Sequence, residues 1–120
     1  GLRPRCGRCR EPLPLPGSVI ELDDRGFESV VSGATVPVLV DFYSPTCGPC
    51  RMLAPVIEDI ARRYQGRVLV AKYDTSRHQA VAAAFQIRGV PTLVFFSGGR
   101  PVDQVVGAVP GQEIEQRLAR

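Results

Sequence analysis

Two cysteines separated only by Gly48-Pro49 stand where an apolar run ends and a helical pattern begins, and that placement constrains the fold more than any other feature of the chain. Val38-Leu39-Val40-Asp41-Phe42-Tyr43 has the β-branched and aromatic bias of a buried strand. Beyond Cys50, the residues Leu53, Val56, Ile57, Ile60, Ala61 and Tyr64 recur at helical spacing. Cys47 and Cys50 therefore fall at a helix N-terminus, where backbone N–H groups and the helix dipole favour the nucleophilic thiolate. A Cys-x-x-Cys pair beside a βαβ-type pattern points to dithiol–disulfide chemistry. The plainer alternative is a pair of buried or metal-bound cysteines.

The rest of the chain extends this pattern. Residues 1–17 form an extension of arginine, proline and glycine with almost nothing to bury, and the alternating Pro12, Pro14 and Pro16 favour an extended connector. A compact domain is expected over 18–120. Val19, Ile20 and Leu22 predict a first strand. Asp23 or Asp24 then caps a short helix with Phe27, Val30 and Val31 on one face. After the central strand the spacing predicts a helix over about 47–65, closed by Gly66 and kinked at Pro55, then a strand from Val68 to Tyr73. A modest helix over about 77–85 would turn Val81, Ala84 and Phe85 inward. Two strands, Thr92 to Phe96 and Val102 to Val109, are joined by a glycine turn, and a last helix over about 111–119 buries Ile114 and Leu118. This order, βαβαβαββα, predicts an α/β sheet, mixed because its last pair is a hairpin, with helices on both faces.

Charge narrows the partners. Fifteen basic and twelve acidic residues give +3, and Arg3, Arg5, Arg8 and Arg10 exceed that surplus, so the compact part is close to neutral and no nucleic-acid partner is expected. No apolar stretch approaches the roughly 20 residues that span a bilayer, so no membrane partner is expected either. His78, the one histidine, reads as a solvated residue near a helix start.

From Ser18 to Arg120 these residues resemble the thioredoxin family. The likeness is carried by Val40-Asp41-Phe42, Cys47-Gly48-Pro49-Cys50, Arg88-Gly89-Val90-Pro91-Thr92 and Gly107. It implies the thioredoxin fold: a mixed five-stranded sheet flanked by four helices, here with the short N-terminal extension. It also implies a thiol–disulfide oxidoreductase that reduces protein disulfides. Cys47, at the exposed mouth of the loop that Thr46, Gly48 and Pro49 complete, attacks, and Cys50 resolves the mixed disulfide. An acid in an apolar strand is costly to bury, so Asp41 either faces out or is held inside with a raised pKa. By resemblance it is the buried acid that accepts the Cys50 proton. Lys72 matches the lysine that the family places near that acid, though a solvated lysine reads as well. The resemblance makes Val90–Pro91 a cis bond lying against the disulfide, with Gly89, Val90, Gly107 and Ala108 as the rim on which partners dock. Two departures bear on substrate choice: Thr46 and Tyr43 stand where the family usually has tryptophan.

No cofactor is required beyond the redox-active Cys47–Cys50 disulfide. The implied partners are disulfide-containing proteins and an NADPH-dependent flavoprotein thioredoxin reductase, with the protein a cytoplasmic monomer. Cys6-Gly7-Arg8-Cys9, followed by Pro12-Leu13, resembles half of the zinc-binding extension of the thioredoxin-2 subgroup. Structural zinc takes four ligands, so Cys6 and Cys9 would need two more, from upstream residues or a second molecule. Otherwise they pair as a disulfide or stay free thiols. Other functions remain open at this point: an oxidase or isomerase running the same chemistry in reverse, a redox-inactive scaffold, and a zinc-dependent interaction module.

Overall fold

The computed structural model describes residues 17–119. Its elements run β1 (Ile20–Leu22), α1 (Phe27–Gly33), β2 (Val38–Tyr43), α2 (Gly48–Arg63), β3 (Leu69–Asp74), α3 (Ala80–Ala84), β4 (Thr92–Ser97), β5 (Arg100–Val106) and α4 (Gly111–Leu118). The five strands form one sheet in the order β1-β3-β2-β4-β5. β1, β3 and β2 are parallel, while β4 runs antiparallel to both β2 and β5. This is the mixed sheet that the element order predicts, and it is the thioredoxin fold.

Strand alternation divides the core between the two faces of the sheet. Val38, Val40 and Phe42 turn toward Phe27 and Val31 of α1 and Ala82 of α3. Leu39, Val70 and Leu93 turn toward Leu53, Ile57 and Ile60 of α2 and Ile114 of α4. β2 is central and buried on both faces, which is why, Asp41 apart, it reads as a continuous apolar run rather than an alternating one. Phe27 is a hub on its face, with its ring 5.7 Å from Phe96 and 5.8 Å from Phe85.

Tertiary contacts moved several boundaries. Cys47 caps α2 rather than opening it. Gly66, at φ +82°, makes the turn out of that helix region. β3 begins at Leu69, and β5 spans Arg100–Val106 because Gly107 leaves the strand at φ +99°. The helix expected over 77–85 shrinks to Ala80–Ala84, since the amides of Arg77 and His78 donate to Asp74 O in a turn before it. Ala82 is the buried residue of α3, Val81 and Phe85 are partly buried, and Ala84 is exposed. Asp23 and Asp24 divide the capping work. Asp23 Oδ1 accepts the Gly26 amide at 2.7 Å, ahead of α1. Asp24 instead accepts the Gln79, Ala80 and Val81 amides at the start of α3, together with the Tyr73 hydroxyl at 2.5 Å.

Candidate active site

The end of β2 and the start of α2 hold the two cysteines together. Cys47 and Cys50 are disulfide-bonded, with Cα atoms 5.2 Å apart. Cys47 has extended backbone (φ −87°, ψ 116°) as the N-cap, and Pro49 fits the first turn, where an amide would have no helical acceptor. Cys47 Sγ accepts the Cys50 N–H at 3.1 Å, so the sulfur takes the place that a serine or aspartate oxygen has in an ordinary cap. Cys50 is buried, whereas Cys47 is half-buried between exposed Thr46 and exposed Gly48. Thr46 turns its hydroxyl to Ser44 Oγ at 3.1 Å.

A second segment lies against this loop. The Val90–Pro91 peptide bond is cis, and Val90 O lies 3.7 Å from Cys47 Sγ. Pro91 is buried, Val90 half-buried and Gly89 exposed. Thr92 Oγ1 donates to Gly89 O at 2.6 Å, and the Gly107 amide donates to Pro91 O at 2.8 Å. These bonds bring the segment 89–91 and Gly107, with exposed Ala108 after it, to the same end of the sheet as the disulfide.

Asp41 lies inside. It is 4% exposed and shares the α2-facing side of β2 with Leu39. A cavity of about 50 Å³ joins it to Cys50, with Tyr43, Ile57, Glu58 and Lys72 among its walls. That volume has room for water. Asp41 Oδ1 is buried without a hydrogen-bond partner. Burial raises the Asp41 carboxyl from 3.8 to about 7; the Lys72 charge opposes that rise and the Glu21 charge adds to it.

Lys72 is directly in register with Asp41 but forms its ion pair with Glu21, at 3.6 Å. Its ammonium also sits 5.6 Å from the centre of the Tyr43 ring. The Tyr43 hydroxyl donates to both Glu21 oxygens, at 3.0 and 3.2 Å. Sequence reasoning missed Glu21, whose position between Ile20 and Leu22 reads only as the solvent side of an edge strand. Tyr43, singled out in the sequence only for standing where the family usually has tryptophan, proves to be the hydrogen-bond partner of Glu21.

Among the described residues no group of three or more His, Cys, Asp or Glu side chains is arranged to hold a metal ion. Cys6 and Cys9 lie outside the described residues. Among the described residues, too, no helix is long and apolar enough to cross a membrane.

The family model described as Thioredoxin matches residues 18–120. A Thioredoxin 1 from Nostoc sp. is 47% identical over 100 residues, covering 83% of this chain and 94% of that protein. A thioredoxin from Alicyclobacillus acidocaldarius is 41% identical over 102 residues, covering 85% of this chain and 96% of its own length. Among solved structures, a mutant thioredoxin from Halobacterium salinarum superimposes with a TM-score of 0.79 at 37% identity, over 89% of this chain and 93% of that one.

Proposed function

The chain belongs to the thioredoxin family and is a thiol–disulfide oxidoreductase that reduces protein disulfides, and from that premise we propose how its residues divide the reaction. Cys47 is the nucleophile. The observation that carries this assignment is the Cys50 amide aimed at Cys47 Sγ from 3.1 Å at a helix N-terminus, in the more accessible of the two cysteines.

In the reduced protein the Cys47 thiolate attacks one sulfur of a substrate disulfide. A Cys47–substrate bond forms, the substrate S–S bond breaks, and the first substrate sulfur leaves as a thiolate that takes a proton from water. Cys50 then gives its thiol proton to the Asp41 carboxylate and attacks Cys47 Sγ. The second substrate sulfur leaves as a thiolate and takes a proton from water; the substrate disulfide has gained the two electrons that the dithiol lost in becoming the Cys47–Cys50 disulfide. Asp41 suits this role because its carboxyl, raised to about 7, takes and releases a proton near neutrality. Lys72 tunes that acid through its charge.

Val90, the residue before Pro91, offers backbone N–H and C=O groups to an extended substrate strand beside Cys47. Gly89, Gly107 and Ala108 complete the rim. Thr46 makes it smaller and more polar than a tryptophan would.

The substrates are proteins with accessible disulfides, and the family implies a thioredoxin reductase as the source of electrons. We assign the recharging step to an NADPH-dependent flavoprotein and the protein to the cytoplasm, as a monomer. We place the domain at 18–120, after an N-terminal extension of residues 1–17; the family match over residues 18–120 supports this reading. Cys6 and Cys9 are read as half of a thioredoxin-2-type zinc extension, which needs two further ligands to complete a four-coordinate site.

Insulin-disulfide reduction with dithiothreitol as electron donor tests the assignment. A rate well above background that vanishes in Cys47→Ser is expected. No activity in either protein would overturn it.

A further inference from the structure

Glu21, Lys72 and Asp41 form a transverse row across three parallel strands. Glu21 on β1 is in register with Lys72 on β3, which is in register with Asp41 on β2. Residues in register on parallel strands share a face, and here that face looks toward α2. One ammonium therefore stands between two carboxylates, the first at the wet sheet edge and the second buried under Cys50.

Lys72 is committed to the edge. Its ion pair is with Glu21 at 3.6 Å, and its side chain is 40% exposed. The Tyr43 hydroxyl holds both Glu21 oxygens from 3.0 and 3.2 Å, and the Tyr43 ring lies beneath the ammonium. Tyr43 thus orients the carboxylate that draws the lysine outward, while its ring walls the cavity. We infer that Glu21, oriented by Tyr43, is a positioning residue that holds Lys72 away from Asp41 and so sets the pH range in which Asp41 exchanges a proton with Cys50. The inference rests on the reading of Asp41 as the acceptor of the Cys50 proton.

Two carboxylates compete for one lysine. Moving Lys72 inward would gain attraction in a drier medium and lose hydration. Glu21 offers the same charge without that loss, so the lysine stays outside and the buried carboxyl keeps its proton to higher pH. The ionisable groups facing Asp41 are Tyr43 on its own strand, Lys72 on β3, Glu21 on β1, and Cys50 and Glu58 on α2; its β4 partner is the apolar Leu93. Of these, only Lys72 is a cation. Its position is therefore the strongest available lever on Asp41. The Glu21 charge also raises the Asp41 pKa directly, a contribution the test must separate from the placing of the lysine.

Titration of the Asp41 carboxyl carbon by NMR in the reduced protein tests this, with Asp41→Asn to assign the resonance. Glu21→Gln is expected to lower the Asp41 midpoint by about half a pH unit or more as Lys72 turns inward. Lys72→Met is expected to raise the midpoint. In a Lys72→Met background the Glu21→Gln shift is expected to shrink severalfold, because no lysine remains to be repositioned. An unmoved midpoint in Glu21→Gln overturns the inference. So does a shift of equal size with and without Lys72, which would mean that Glu21 acts by its own charge alone. The pH profile of insulin reduction separates the premise from the inference: if Asp41→Asn leaves it unchanged, the proton-acceptor reading fails, while the NMR shifts still decide the Glu21–Lys72 competition.

Discussion

The Cys50 amide donates a hydrogen bond to Cys47 Sγ at 3.1 Å, so the residue we assign to resolving the mixed disulfide also stabilises the sulfur we assign to forming it. The helix start supplies a directed N–H and the positive end of its dipole to one cysteine and buries the other.

From that asymmetry, the reduced protein treated with one equivalent of iodoacetamide at neutral pH should be alkylated at Cys47 and not at Cys50. Cys50→Ser should accumulate a stable Cys47–substrate mixed disulfide, because the resolving thiol is gone. Peptide mass mapping reads both results. Preferential labelling of Cys50 would reverse the assignment of roles.

Asp41 should make stability fall as pH rises. Its carboxyl binds a proton more tightly in the folded state, about 7, than at its ordinary value of 3.8. Between about pH 4 and 7 the folded chain holds a proton that the unfolded chain has released, so stability falls with rising pH across that window and levels off above it. The full penalty above pH 7 is on the order of 4 kcal/mol. Asp41→Asn should accordingly raise the urea midpoint at pH 8 and lose most of that advantage by pH 4. A gain of equal size at both pH values would show that burial of the charge is not its source.

Asp24 ties β1 to the first turn of α3 and to Tyr73, accepting three backbone amides and one hydroxyl. Asp24→Ala should destabilise the protein and lower its urea midpoint, as the loss of a helix cap does. Faster hydrogen exchange should be confined first to the amides of Gln79, Ala80 and Val81. Unchanged exchange at those amides would remove the capping role.

Gly107 has open space around it but a backbone φ of +99°, so an added Cβ would meet strain rather than a neighbour. Gly107→Ala should cost about 1–2 kcal/mol and slow insulin reduction, since relaxation would disturb the 2.8 Å bond from its amide to Pro91 O. Gly33→Ala is the control: it too has nothing within 4 Å, its φ is not positive, and it should be neutral. Equal effects at the two sites would show that the positive φ is not what matters.

Much of this protein could be read from short stretches of its sequence. The apolar run Val38–Tyr43, the helical spacing after Cys50 and the glycine turn at Gly98-Gly99 each depend on neighbours within a few residues, so period and turn chemistry suffice to place β2, α2 and the β4–β5 hairpin. The Cys-x-x-Cys pair at a strand–helix junction belongs to the same class, because the cap that activates Cys47 is built from Cys50, three residues on.

Tertiary structure decided what depends on register and on segments distant in the chain. Local patterning could not say which way Asp41 turns, because β2 is covered on both faces; the cavity it shares with Cys50 and Ile57 of α2 settles it. Asp24 reads as a cap for the next helix, yet its amide partners include Val81, 57 residues on. Val90 meets Cys47 across 43 residues. The Glu21–Lys72–Asp41 row exists only because three strands align at one level, and no local rule states an inter-strand register. A periodicity records which residues want to be buried; which charges then face one another is determined by how the buried faces fit.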